Sequence, residues 1–118
     1  MIRQRLGKDL LFFDGGMGTL LQEKGLAPGE LPETWNLTHS EEIYKIHRQY
    51  IEAGSDIILT NTFGANALKF HDDSCSLEEI IKAAVSHVKK AEREALLQTG
   101  DERKIYTALD VGPTGKLL

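Results

Sequence analysis

The chain has 118 residues, 41% of them hydrophobic and 27% charged, with a formal net charge of −4. That suits one small globular domain, and the acidic balance argues against nucleic acid as the main partner, since a phosphate-binding surface needs a basic excess. No stretch approaches the roughly 20 apolar residues that cross a bilayer, and no apolar run of signal-peptide length follows the basic N-terminus. The single cysteine, Cys75, excludes an intrachain disulfide and fits a reducing, cytoplasmic setting.

Leu10-Leu11-Phe12-Phe13 reads as a short strand buried on both faces, the kind found in parallel sheets. It breaks at Asp14, and Gly15, Gly16 and Gly18 follow before a helical pattern that sets Leu20 and Leu21 on one side. Ligand sites of α/β proteins lie at the carboxyl ends of their strands. Asp14 with its glycines therefore suits a carboxylate and backbone N–H groups gripping a small zwitterion. The same residues equally suit a tight strand-to-helix turn with Asp14 as a helix cap.

Residues 25–40 read as a long irregular connection holding Pro28, Pro32 and the only tryptophan, Trp35, which is expected to pack on the core rather than to line a pocket from the loop. Asn36-Leu37-Thr38 matches a glycosylation acceptor by chance. Thr38-His39-Ser40-Glu41 matches a capping box. The helix after it carries a stripe of Ile43, Ile46, His47, Tyr50 and Ile51, with Gly54 as its C-cap. No partner shares a metal-ligand spacing with His47, so it reads as structural.

Residues 56–60 form a second expected strand, ending in Asn61-Thr62-Phe63-Gly64. A short helical segment over 65–70 and a solvated loop, His71-Asp72-Asp73-Ser74-Cys75, come next. Ser76-Leu77-Glu78-Glu79 is a second capping box. It opens a long helix whose apolar face includes Ile80, Ala84, Val88, Ala91 and Ala95, closed by Gly100. Residues 101–104 read as an exposed turn and 105–109 as a third strand, ending at Asp110 and Gly112. Strand, helix, strand, helix, strand predicts right-handed crossovers and three parallel strands. All three end in Asp, Asn, Thr or Gly, which places a polar cluster at one rim.

Asp14-Gly15-Gly16-Met17-Gly18-Thr19, Asn36-Leu37-Thr38, Glu52-Ala53-Gly54-Ser55-Asp56-Ile57-Ile58, Thr60-Asn61-Thr62-Phe63-Gly64 and Gly112-Pro113-Thr114-Gly115-Lys116-Leu117-Leu118 follow in this order. Together they resemble the N-terminal part of the homocysteine S-methyltransferase family, with a particular likeness to the homocysteine-binding module of cobalamin-dependent methionine synthases. The resemblance implies an α/β fold, the first three βα units of a (β/α)8 TIM barrel, so that residues 1–118 form an incomplete barrel ending after its third strand. It implies that Asp14 takes the ammonium group of homocysteine, that Gly15 and Gly16 offer N–H to its carboxylate, and that Thr60, Asn61 and Thr62 line the floor. It further implies zinc held by three thiolates that activates the homocysteine sulfur, which takes a methyl group either from cobalamin held by other domains, on the methylcobalamin and methyltetrahydrofolate route to methionine, or from another donor as in cobalamin-free members.

Two departures accompany this likeness. The family's zinc cysteines lie on later strands and have no match here, Cys75 included, and Leu59 stands where some relatives carry glutamate. The resemblance therefore implies that the chain alone holds no catalytic zinc and is inactive. An open edge on the third strand is expected to drive homo-oligomerisation. The competing reading is a small α/β ligand- or nucleotide-binding module using the turn at residues 14–18. Asp14 places a negative charge where a phosphate would sit, which counts against it.

Overall fold

The computed structural model describes Ile2 and residues 10–28, 30–63, 77–100 and 104–110. In chain order these form helix α1 (Gly18–Glu23), a 3-10 turn (Pro32–Thr34), the helical turn α2 (Trp35–Thr38), helix α3 (Ser40–Glu52), strand β1 (Ile57–Leu59), helix α4 (Leu77–Thr99) and strand β2 (Tyr106–Ala108). The expected helical segment over 65–70, the loop with Cys75, Ser76 of the second capping box, most of the 101–104 turn and the motif from Gly112 onward lie outside the described residues.

β1 and β2 pair in parallel, Ile58 opposite Thr107. The first expected strand is reduced to a single parallel bridge, Phe13 to Ile57. The sheet is thus two-stranded with a bridged third segment. A ladder still runs along that segment: Ile57 N–H donates to the Phe12 carbonyl at 3.0 Å and Asp14 N–H to the Ile57 carbonyl at 3.0 Å. Two aspartates extend it at opposite ends. Asp56 accepts from Phe12 N–H at 3.0 Å, and Asp14 accepts from Leu59 N–H, 3.3 Å from each carboxylate oxygen. The expectation that residues 10–13 are buried on both faces does not hold, since Leu10, Phe12 and Phe13 are 78%, 54% and 61% exposed. An apolar run signals a segment suited to burial, and among the described residues nothing covers these side chains.

The core lies between the helices and the sheet. One cluster joins Ile51 of α3, Ile58 of β1, Val88, Ala91 and Ala95 of α4, and Ile105. Alanines along the buried stripe of α4 let it approach α3 closely, which suits ridge-into-groove packing. A second cluster joins Leu21, Trp35, Ile43 and Ile46, so Trp35 packs as expected. Its indole N–H donates to Glu30 at 3.1 Å.

The stripe on α3 is buried at Ile43, Ile46, His47 and Ile51. Burial, with a smaller effect from nearby His87, pushes the His47 imidazole down to about 4, so it sits neutral in the core. Gly54 and Gly100 adopt positive φ, 111° and 71°, as residues that end helices do.

Two local expectations are corrected. The connection over 25–40 is not wholly irregular, because Pro32 starts the 3-10 turn and α2 follows directly. For the same reason the capping box at Thr38 does not form. Thr38 already closes α2, its hydroxyl donating to the Thr34 carbonyl at 3.2 Å, and His39 precedes α3 without a side-chain cap. No helix among the described residues is long and apolar enough to cross a membrane.

Candidate functional site

The three strand ends meet at one rim and enclose a cavity of about 490 Å³. The first segment supplies its wall from Asp14 to Gly18, and the 3-10 turn adds Pro32 and Glu33. β1 and the residues after it give Leu59, Thr60, Asn61 and Phe63, while Asp110 comes from the end of β2. The polar cluster expected from the sequence is therefore real, and five of the six candidate residues (Asp14, Gly15, Gly16, Thr60 and Asn61) line it.

Asp14 is not the helix cap that the sequence also allowed. Met17 precedes α1, with no side-chain cap. After Asp14 the chain leaves the ladder, and its carboxylate takes the Leu59 N–H that a further strand carbonyl would have accepted. A carboxylate has about four acceptor sites, and the N–H groups of Leu59 and of Asp14 itself leave some of them for the cavity. Burial pushes the Asp14 carboxyl up to about 6; Leu59 N–H opposes that rise and the charge of Asp110 adds to it. A half-buried acid facing a cavity against its own solvation preference is suited to a cationic partner.

Thr60, Asn61 and Thr62 are buried and bonded among themselves and their neighbours. The Thr60 and Thr62 hydroxyls lie 2.7 Å apart, and Thr62 donates to the Asp110 carbonyl at 2.7 Å. Thr62 does not line the cavity; it ties the end of β1 to the end of β2 from behind. Asn61 donates to the Pro32 carbonyl at 2.9 Å and to Asn36 Oδ1 at 3.1 Å. These side chains set the floor's shape, and Asp14 stands beside the backbone of the glycine turn on the same wall.

Sequence reading missed Glu33, and of Asn36 it had the motif but not the role. Glu33 is 3% exposed and lines the wall; on a segment taken for loop it carried no signal. Asn36 is 1% exposed, which closes it to glycosylation in the folded chain. Its amide donates to the Asn61 carbonyl at 2.8 Å, and its own carbonyl lies 2.7 Å from His87 Nε2. Asn36→Leu is expected to cost about 2 kcal/mol or more, because it strands the buried polar groups of Asn61. Urea unfolding measures this, and a loss below about 0.5 kcal/mol would show that the network is dispensable.

Among the described residues the lining contains three carboxylates, Asp14, Glu33 and Asp110, and no Lys, Arg or His. This field attracts an ammonium and repels phosphate, so it counts against the nucleotide-binding alternative. Among the described residues no group of three His, Cys, Asp or Glu is placed to hold a metal ion.

A family model described as homocysteine S-methyltransferase matches residues 11–118, nearly the whole chain. Among solved structures, the metallated form of the homocysteine methyltransferase MmuM from Escherichia coli superposes with a TM-score of 0.81 at 24% identity, covering 97% of this chain and 42% of that one. The oxidised form gives 0.80 at 25% identity, covering 97% and 41%. The chain therefore spans about two fifths of the length of these enzymes. The structural likeness is one of fold, that of a stretch of a TIM-barrel enzyme, and the family model carries the assignment: the chain belongs to the homocysteine S-methyltransferase family.

Proposed function

We propose that residues 1–118 are the N-terminal, amino-acid-gripping part of a homocysteine-binding barrel domain, and that the cavity at the strand ends takes homocysteine. The observation that carries this reading is the pairing of Asp14 with a bare glycine turn on one cavity. A carboxylate deprived of solvent meets the substrate ammonium, and backbone N–H groups of Gly15 and Gly16 meet its carboxylate. A Cβ added at Gly16 or Gly18 would meet no protein atom within 4 Å, and neither residue has positive φ. The fold itself thus does not demand glycine there, whereas a ligand approaching the backbone does. Thr60 and Asn61 form the floor, and Thr62 fixes its height.

In this reading the whole enzyme methylates homocysteine to methionine, with the methylcobalamin and methyltetrahydrofolate route of methionine synthases as the proposed donor path. A zinc held by three thiolates does not fit the residues present, because the chain has one cysteine. Its ligands, and the contacts to cobalamin, are assigned to polypeptide beyond this sequence. What these residues do themselves is bind, orient and select by charge.

Titration calorimetry tests the proposal. L-Homocysteine is expected to bind the chain with an affinity of about millimolar order, as suits a small ligand held by few groups. Gly16→Ala is expected to leave the melt unchanged and weaken binding severalfold. Purified chain is expected to give no methyl transfer from methylcobalamin. Absence of homocysteine binding, or equal binding by Gly16→Ala, would sink the site assignment.

A further inference from the structure

Tyr50 takes no place in the lining of the homocysteine cavity, which Gly15, Gly16 and Met17 do line. It borders a separate depression with Phe12, Phe13 and Gly15. Its hydroxyl donates to the Gly16 carbonyl at 2.8 Å. Its ring lies so close under the turn that a Cβ on Gly15 would sit 2.7 Å from Oη and 3.0 Å from Cε1. The same ring packs against both core clusters, the only partly buried hydrophobic side chain among the described residues to do so. Packing alone needs a ring here. The hydroxyl needs another reason.

We infer that Tyr50 is a positioning residue that pins the Gly16–Met17 peptide of the turn, so that the Met17 N–H joins those of Gly15 and Gly16 as a donor to the cavity. This rests on the reading of that cavity as a homocysteine site. The C=O and N–H of one trans peptide point in opposite directions. Holding the Gly16 carbonyl toward Tyr50 therefore turns the Met17 N–H away from Tyr50, toward the cavity side. Without the bond, the short run of glycines has many accessible conformations, and a ligand would have to select one of them. With the bond, that ordering is done by the fold before the ligand arrives. Burial and the neighbouring Asp14 charge both push the Tyr50 phenol up, which keeps it protonated and a donor. The close approach at Gly15 belongs to the same device: a side chain there would displace the ring and break the bond to Gly16.

Two variants reach this one bond from opposite sides. Tyr50→Phe removes the hydroxyl and keeps the ring; Gly15→Ala keeps the hydroxyl and pushes the ring away. In the ligand-free 118-residue chain, both are expected to shift the amide resonances of Gly16 and Met17 and to speed their hydrogen exchange. Those in α4 are expected to stay in place. Homocysteine affinity is expected to fall about fivefold in Tyr50→Phe, the order of one net hydrogen bond, with the melt close to that of the parent. A purely packing role for Tyr50 would leave the amide pattern and the affinity of Tyr50→Phe unchanged, and that result overturns the inference. If Tyr50→Phe does not fold, Gly15→Ala decides alone, and an unmoved Gly16 and Met17 pattern in it is equally fatal. A parent chain that binds no homocysteine defeats the site assignment, while the amide signature still decides whether Tyr50 sets the turn.

Discussion

Asp14→Asn is expected to make the empty protein more stable at neutral pH and nearly unable to bind homocysteine. The folded Asp14 carboxyl titrates at about 6 against an ordinary 3.8, chiefly because of burial. A group raised in this way contributes stability that is complete below the unfolded value and is lost as pH rises through the folded one. The parent therefore carries a charge penalty above about pH 6 that vanishes below about pH 4. Asparagine keeps an acceptor for Leu59 N–H and never ionises. With the carboxyl half exposed and screened by solvent, the gain is about 1 kcal/mol at pH 7.5, falling to zero near pH 3.5.

His47 moves stability the other way. Its depressed value means that stability is lost as pH falls from about 6.5 toward 4. Only the difference between parent and variant isolates Asp14. Binding runs opposite to stability: losing the charge-assisted contact to the ammonium is expected to cost roughly 100-fold in affinity. In the parent, affinity is expected to fall about tenfold per pH unit below 6, since binding requires the ionised carboxylate. Melts and calorimetry over pH 3.5–8 read both. An Asn variant that is no more stable at pH 7.5, or that binds as the parent does, would contradict the role given to Asp14.

That opposition shows why the site was only partly legible in the sequence. The strand ends could be found because apolar runs break abruptly into polar residues at Asp14, at Thr60 and at Asp110, and parallel connections bring such ends to one rim. The helices could be found from their stripes. Glu33 could not, and Asn36 stood out only through the Asn36-Leu37-Thr38 motif, which says nothing of its buried bonds to Asn61. Their burial comes from a turn begun by Pro32 and closed by Trp35, in a stretch with no periodicity to read. The role of Asp14 stayed open between cap and ligand because the two differ only in where the chain goes after Gly15, a choice made by contacts with Tyr50 and Leu59, distant in sequence. Residues 10–13 failed in another way: their apolarity was read as burial, whereas burial also depends on what lies opposite.

The same exposed sheet leads to the expectation that the 118-residue chain associates with a second copy. Tyr106 N–H donates to the Asp56 carbonyl and Ala108 accepts from Thr60 N–H, so these two residues turn their ladder groups toward β1. Backbone groups alternate sides along a strand, and the N–H and C=O of Thr107 therefore face the edge that no described residue pairs with. Leu109 beside it is 55% exposed. Two such edges related by a twofold axis pair antiparallel and cover each other, the closed outcome favoured for self-complementary surfaces. Light scattering is expected to show dimers or larger species that dissociate on dilution. Thr107→Pro removes the donor on the open side and leaves the β1–β2 bonds intact, a placement a sheet edge tolerates. It is expected to weaken association about tenfold or more, since the N–H is lost and its partner carbonyl is stranded. A chain that stays monomeric at millimolar concentration with a cooperative melt, or a Thr107→Pro variant that associates as strongly as the parent, would show that this edge is not the contact.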